Sequence, residues 1–158
     1  MRNSTFLFFD QERTQSGIIL SFAQSPPPTT LPALAVTIRI FFLPFEKKEL
    51  KKWTFGEAYF SKIKFNKVKA WKYHLKMVLN LVVPYGKVKF VFYSQKEDIF
   101  RVIEIGAKKY LRLTVPPKIW FGFKGMGKPE SIILNVTNIQ HNPKEILRCK
   151  RNKIQFNW

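Results

Sequence analysis

His74, Lys76 and Asn80 recur at even spacing in the stretch WKYHLKMVLN. On an extended chain alternate side chains share a face, so these three, with Val78, would line one side of a strand. Imidazole titrates near neutral pH and suits proton removal. A lysine cation or an asparagine amide beside it could stabilise the negative charge left on oxygen by such a step. The other face would carry Leu75, Met77, Leu79 and Leu81, an apolar row that must be packed. The competing reading makes His74 one polar residue on a basic surface. Trp71, Trp120 and Phe123 lie near strand ends and favour a ring-lined pocket instead.

These residues need strands to position them. KVKFVFY alternates, with Val88, Phe90 and Phe92 on one face and Lys87, Lys89, Val91 and Tyr93 on the other. FRVIEI and YLRLTV alternate likewise, and SIILNVTN is a short β-branched run. EAYFSKIKF is anchored by Ala58, Phe60, Ile63 and Phe65. Turn signals separate the runs: PYGK, SQKED, GAKK, PPK and KGMGKPE. Short strands punctuated by Gly/Pro turns predict an all-β antiparallel sandwich or barrel. The one helical prospect is a short turn around EKKELKKW or after Asn142-Pro143.

The formal charge is +18, but it is unevenly placed. Residues 1–46 contain no lysine and balance their charges, whereas 47–158 carry the whole excess. This composition boundary, with SPPPTTLP before it, predicts a divergent N-terminal arm over 1–46, disordered or contributing edge strands such as SFAQ and AVTIRIFF. Residues 47–158 then form the main domain. The high aromatic share, 16%, excludes a disordered chain. The apolar run LPALAVTIRIFFLPF is interrupted by Arg39 and is shorter than the roughly 20 residues a membrane span requires. A lone cysteine, Cys149, gives no internal disulfide, and a cytoplasmic location is the default expectation. Nucleic acid is the usual partner of so basic a chain. However, the phenylalanines of KVKFVFY oppose Lys87 and Lys89 instead of joining them on one exposed face, so a basic nucleic-acid barrel is the weaker alternative.

Several phrases together resemble one family. WKYHLKMVLNLVVPYGKVKFV, YLRLTVPPKIWFGFKG, ILNVTNIQHNPKE and the closing IQFNW are similar to small cupins related to dTDP-4-dehydrorhamnose 3,5-epimerase, over roughly residues 54–158. The resemblance implies a cupin jelly roll, usually a homodimer exchanging N-terminal strands. It also implies an isomerase that acts on a nucleotide-linked 4-keto-6-deoxy sugar in polysaccharide or lipopolysaccharide sugar biosynthesis. Laid on the general cupin pattern, His74 takes the first ligand position, while the other three carry Lys76, Asn80 and Phe121. No metal and no cofactor are therefore expected. In this reading His74 removes the proton beside the ketone, and Lys76 and Asn80 stabilise the enolate. Lys69, Lys72 and Lys124 hold the diphosphate, Trp71 and Trp120 stack on the base, and Asn135 lines the substrate site. The epimerases of this group use a tyrosine as acid on a strand after the second motif, where this chain reads Asn135-Val136-Thr137-Asn138-Ile139. A cupin that binds the nucleotide sugar without turning it over is the alternative.

Overall fold

The computed structural model describes residues 54–158 in full, together with the backbone of three N-terminal strands. These are β1 (Arg13–Thr14), β2 (Gly17–Ser21) and β3 (Thr37–Phe41). They are followed by β4 (Glu57–Lys64), β5 (Val68–His74), β6 (Leu79–Tyr85), β7 (Lys87–Ser94) and β8 (Ile99–Gly106). The last four are β9 (Arg112–Val115), β10 (Trp120–Gly125), β11 (Glu130–Thr137) and β12 (Ile146–Arg148). One antiparallel sheet runs β1-β2-β3-β9-β6-β11-β4 and the other β12-β5-β10-β7-β8. Packed face to face, they form the cupin jelly roll expected from the sequence. β3 lies within AVTIRIFF but sits between β2 and β9 instead of at an edge, with Arg39 opposite Thr114. The EKKELKKW segment lies outside the described residues. The turn expected after Asn142 is present as a single 3-10 turn, Pro143–Glu145.

Alternation explains how the sheets meet. Val88, Phe90 and Phe92 of β7 are completely buried, as the KVKFVFY pattern requires. Phe121 and Phe123 of β10 pair with Phe92 and Phe90 in register, and the rings touch at centroid distances of 6.3 and 5.8 Å. The other sheet brings Ile63, Leu79, Leu81, Leu113, Val115 and Ile133 to the same core. Truncating any of these phenylalanines would remove both apolar burial and ring contacts, a loss of about 3–5 kcal/mol. PYGK forms the turn between β6 and β7, where Gly86 has φ +77°, a region that glycine enters without a Cβ penalty.

The outer face of the five-stranded sheet is also covered. Trp71 is 1% exposed and packs on Trp158 and Phe100, at 5.1 and 6.3 Å. Its indole N–H donates to the carbonyl of Ile154 at 3.1 Å. Phe156 closes the cluster against Phe100 and Trp158. The C-terminal segment thus lies as a strap across this sheet. Gly122 lets it approach: a Cβ there would fall 2.6 Å from Ala70 Cβ and 2.7 Å from the Trp158 ring.

Candidate active site

β5 ends at His74, and its even-numbered neighbour Lys72 lies directly opposite Phe121, a core residue. Lys72 and His74 therefore look into the space between the sheets. His74 is buried, and its ring stacks on Phe121 at 5.9 Å. Its Nδ1 lies 2.7 Å from Oε2 of Glu145. Glu145 is itself buried at the end of the 3-10 turn, which Asn142 caps by accepting from the Lys144 amide at 2.9 Å. The second carboxylate oxygen, Oε1, accepts from the backbone N–H groups of Lys76 and Met77, at 2.9 and 2.8 Å. The carboxylate is thus saturated with donors and fixed.

The charges follow from these contacts. Burial pushes the Glu145 carboxyl up, but the two amides and the His74 ring outweigh it and hold it below the usual range. Burial is the largest influence on His74 and lowers its pKa; the hydrogen bond and charge of Glu145 oppose this, while Lys72 and Arg148 add to it. The result is a neutral imidazole whose Nδ1–H donates to an ionised carboxylate, so that Nε2 is left as the basic nitrogen. Burial, then Arg148 and Lys69, lower the pKa of Lys72.

Stability should therefore depend on acid in two steps. The folded His74 pKa lies below its ordinary 6.5, so the unfolded chain binds that proton first and stability falls as pH drops below 6.5 toward the folded value. The Glu145 contribution is present above about 4.5 and is lost as pH falls through its lower folded value. Denaturation midpoints measured from pH 7.5 to 4 should decline from about 6.5 downward. A His74→Gln variant should be flat until the carboxylates titrate.

The structure separates residues that spacing had joined. The chain leaves the five-stranded sheet after His74, turns through 75–78 and enters the other sheet at Leu79. His74, Lys76 and Asn80 therefore do not share one strand face. The Lys76 side chain is exposed, and only its backbone serves the site. Asn80 is paired with Thr114 and Val136, away from the core-facing Leu79 and Leu81. Its Oδ1 accepts from the Thr114 hydroxyl at 2.7 Å, and its Nδ2 donates to the Val136 carbonyl. Asn80 is a buried amide satisfied on the far side of the sheet.

The residues expected to bind substrate divide the same way. Lys72 and Asn135 face inward; Asn135 alternates with the core residue Ile133 along β11. Lys69 is exposed, and its Nζ donates across to the Lys62 carbonyl at 3.0 Å. Trp71 and Trp120 belong to the outer face of the five-stranded sheet, Trp71 under the strap and Trp120 against Tyr73 at 5.1 Å. Lys124 points to the same strap, donating to the Trp158 carbonyl at 3.3 Å. Neither tryptophan can stack on a ligand between the sheets, because alternation sends both to the other face.

Two inward-facing residues were not anticipated. Glu145 is one; its signal was an acid among lysines just after an Asn-Pro turn, in a chain with few acids. The other is Tyr59, directly opposite Asn135, with its oxygen 2.8 Å from the Asn135 amide nitrogen. Only the pairing of β4 with β11 reveals it. Among the described residues, no three His, Cys, Asp or Glu side chains come together, and no helix is long and apolar enough to cross a membrane.

No protein-family model and no curated protein matches the chain. Solved structures do. A dTDP sugar isomerase from Desulfovibrio desulfuricans G20 is 25% identical, with a TM-score of 0.68 over 97% of this chain and 95% of that one. A dTDP-4-dehydrorhamnose 3,5-epimerase from Sulfolobus tokodaii is 18% identical, with a TM-score of 0.63 over 77% and 80%. A sugar 3,4-ketoisomerase from Thermoanaerobacterium thermosaccharolyticum, solved in complex with TDP, is 16% identical, with a TM-score of 0.59 over 72% and 81%. The chain thus has the cupin jelly-roll fold of the dTDP-sugar isomerases and 3,5-epimerases, the same group that its sequence phrases resemble.

Proposed function

We propose that this protein is an isomerase or epimerase of a nucleotide-linked 4-keto-6-deoxy sugar, acting by proton abstraction next to the ketone. The observation that carries this reading is the buried His74–Glu145 pair on the inward face of a fold shared with a dTDP sugar isomerase. A base oriented by a buried carboxylate is the arrangement that proton removal from carbon requires. Glu145 fixes the tautomer, and Nε2 of His74 takes the proton and becomes imidazolium. The electron pair of the broken C–H bond moves to the carbonyl oxygen as an enolate. Lys72, two residues earlier on the same face, takes the stabilising role that spacing had given to Lys76. Its amine donates N–H to an oxyanion in either protonation state.

The diphosphate needs cations at the opening, and Lys69 and Arg148 on the exposed rim beside Lys72 fit that need. The ketoisomerase solved with TDP supports a thymidine nucleotide as the group held. We assign the protein to the cytoplasm, where nucleotide sugars are made, and to a homodimer. Phe60, 68% exposed on the outer face of the seven-stranded sheet next to Leu134, is an apolar residue suited to contact a second copy.

The test is hydrogen exchange. The protein is incubated with thymidine-diphosphate 4-keto-6-deoxyglucose in deuterated water, beside a His74→Asn variant, and the protons next to the ketone are followed by NMR. Deuterium should enter with the native chain and fall at least about a hundredfold with the variant. Binding without any exchange would replace the enzyme by a nucleotide-sugar-binding cupin.

A further inference from the structure

The end of the sandwich opposite His74 holds a cavity that the proposed reaction does not use. β7 starts at Lys87 and runs to Tyr93, which lies in one lateral row with Trp120 and with Tyr73, the residue before His74. The extended chain from Lys87 to that row spans about 20 Å. At the Lys87 end, the β6–β7 turn meets the end of β8. The space between them is a cavity of about 690 Å³, lined in part by Tyr85, Lys87, Glu104, Ile105, Lys108 and Lys109. That volume falls within the roughly 300–1,000 Å³ typical of small-molecule sites.

Its walls are tied in place by backbone bonds. The Ala107 N–H donates to the Gly86 carbonyl at 3.0 Å, and the Lys109 N–H donates back to the Gly106 carbonyl at 2.9 Å. Lys87 is held from the other side: its N–H donates to Ser131 Oγ at 3.1 Å, and its carbonyl accepts from the Met126 N–H at 2.8 Å. Apolar surface comes from Ile105, a core residue, and from the half-exposed ring of Tyr85. The charged groups are mostly cations. Lys87 pairs with Glu104, so those two charges cancel. Lys108 and Lys109 are exposed on the turn after β8, and among the described residues no carboxylate pairs with either.

The size and sign of that charge select the ligand. Two unpaired ammonium groups match a phosphate monoester, which carries about −1.5 to −2 at neutral pH. A carboxylate would neutralise only one of them. Each lysine has N–H groups to donate to phosphate oxygens. The Tyr85 ring gives a flat apolar body a face to stack on. We infer that this cavity is a second ligand site, taking a phosphate monoester attached to a flat ring, as in a nucleoside monophosphate. The ring lies against Tyr85 and Ile105, and the phosphate sits between Lys108 and Lys109. The site makes no use of His74, so it stands or falls apart from the proposed reaction.

The test titrates the full chain with adenosine monophosphate and follows the backbone amides of Gly86, Gly106 and Ala107 by NMR. Saturable shifts should appear at these amides. Adenosine and inorganic phosphate each carry only part of the ligand and should bind at least about tenfold more weakly. A Lys108→Glu/Lys109→Glu variant reverses both charges and should lose the shifts; both side chains are exposed, so the fold is kept. A Lys96→Glu/Lys150→Glu variant has the same net charge, altered at two exposed positions elsewhere, and should bind as the native chain does. Absence of shifts at the three amides, or shifts confined to residues around His74, overturns the assignment. Equal loss in both double variants overturns it as well, since attraction to the overall charge would then suffice. So does inorganic phosphate binding as tightly as the nucleotide.

Discussion

Replacing Glu145 with glutamine should leave the chain folded and lower sugar turnover by about 10³- to 10⁴-fold. The reason is a tautomer. Glutamine can keep its carbonyl oxygen on the amides of Lys76 and Met77, which Oε1 of Glu145 accepts at 2.9 and 2.8 Å. Its amide N–H₂ then points at His74 Nδ1, where an ionised carboxylate now accepts at 2.7 Å. The ring must accept in turn, so its proton moves to Nε2, the nitrogen that has to be free to act as base. Melting temperature should fall only by what the carboxylate charge contributes, while kcat collapses. Normal turnover in this variant would show that His74 is not the base. Glu145→Ala serves as the contrast. It leaves the imidazole N–H and two amide N–H groups with no acceptor in a buried place, and should cost about 3–5 kcal/mol of stability. Only the glutamine variant reads chemistry alone.

Trp71→Ala should destabilise the protein by about 3–5 kcal/mol without weakening nucleotide binding by the folded fraction. Trp71 is the most completely buried of the large rings on the outer face, and it holds the C-terminal strap through the Ile154 carbonyl and the ring of Trp158. Its removal opens a cavity and frees the strap. A denaturant titration gives the loss, and binding of thymidine diphosphate below the transition gives the affinity. A fall in affinity at unchanged stability would return Trp71 to the ligand site proposed for it on sequence grounds.

Much of the framework could be read from alternation alone. KVKFVFY declares which side of β7 is buried, and the Gly/Pro turns separate nearly every strand. The family phrases led to the fold, which the solved structures share. The site was only partly legible. His74 stands out in the sequence, because a histidine at a cupin ligand position is conspicuous. Even spacing groups Lys76 and Asn80 with it only if WKYHLKMVLN is one continuous strand. The four residues 75–78 instead carry the chain between sheets, and their pattern does not announce a turn: they contain no glycine, proline or aspartate. One such break reverses or relocates every face that follows it. Trp71 and Trp120 were misplaced for a related reason, since spacing cannot say which face of an isolated strand meets the partner sheet. Glu145 and Tyr59 reach their partners over 71 and 76 positions. Contacts of that range are set by strand order, which no local pattern encodes.

The carboxylate that orients His74 sits just before β12, a strand of three residues at the edge of its sheet. The strand pairs with β5 through Ile146 with His74, Leu147 with Tyr73 and Arg148 with Lys72, flanked by backbone bonds between Cys149 and Trp71 and from the Leu75 amide to the Glu145 carbonyl. Short edge strands with exposed residues such as Leu147 detach at a fraction of the free energy needed to unfold a domain. In the proposed enzyme the competence of the site therefore depends on how firmly this edge is held. When 143–148 lifts away, His74 loses its carboxylate and Lys72 its neighbouring cation, while the phenylalanine core is untouched. If the proposed reaction is carried out here, readiness of the base and global folding are two separate thresholds, and the lower one lies at the edge of a sheet.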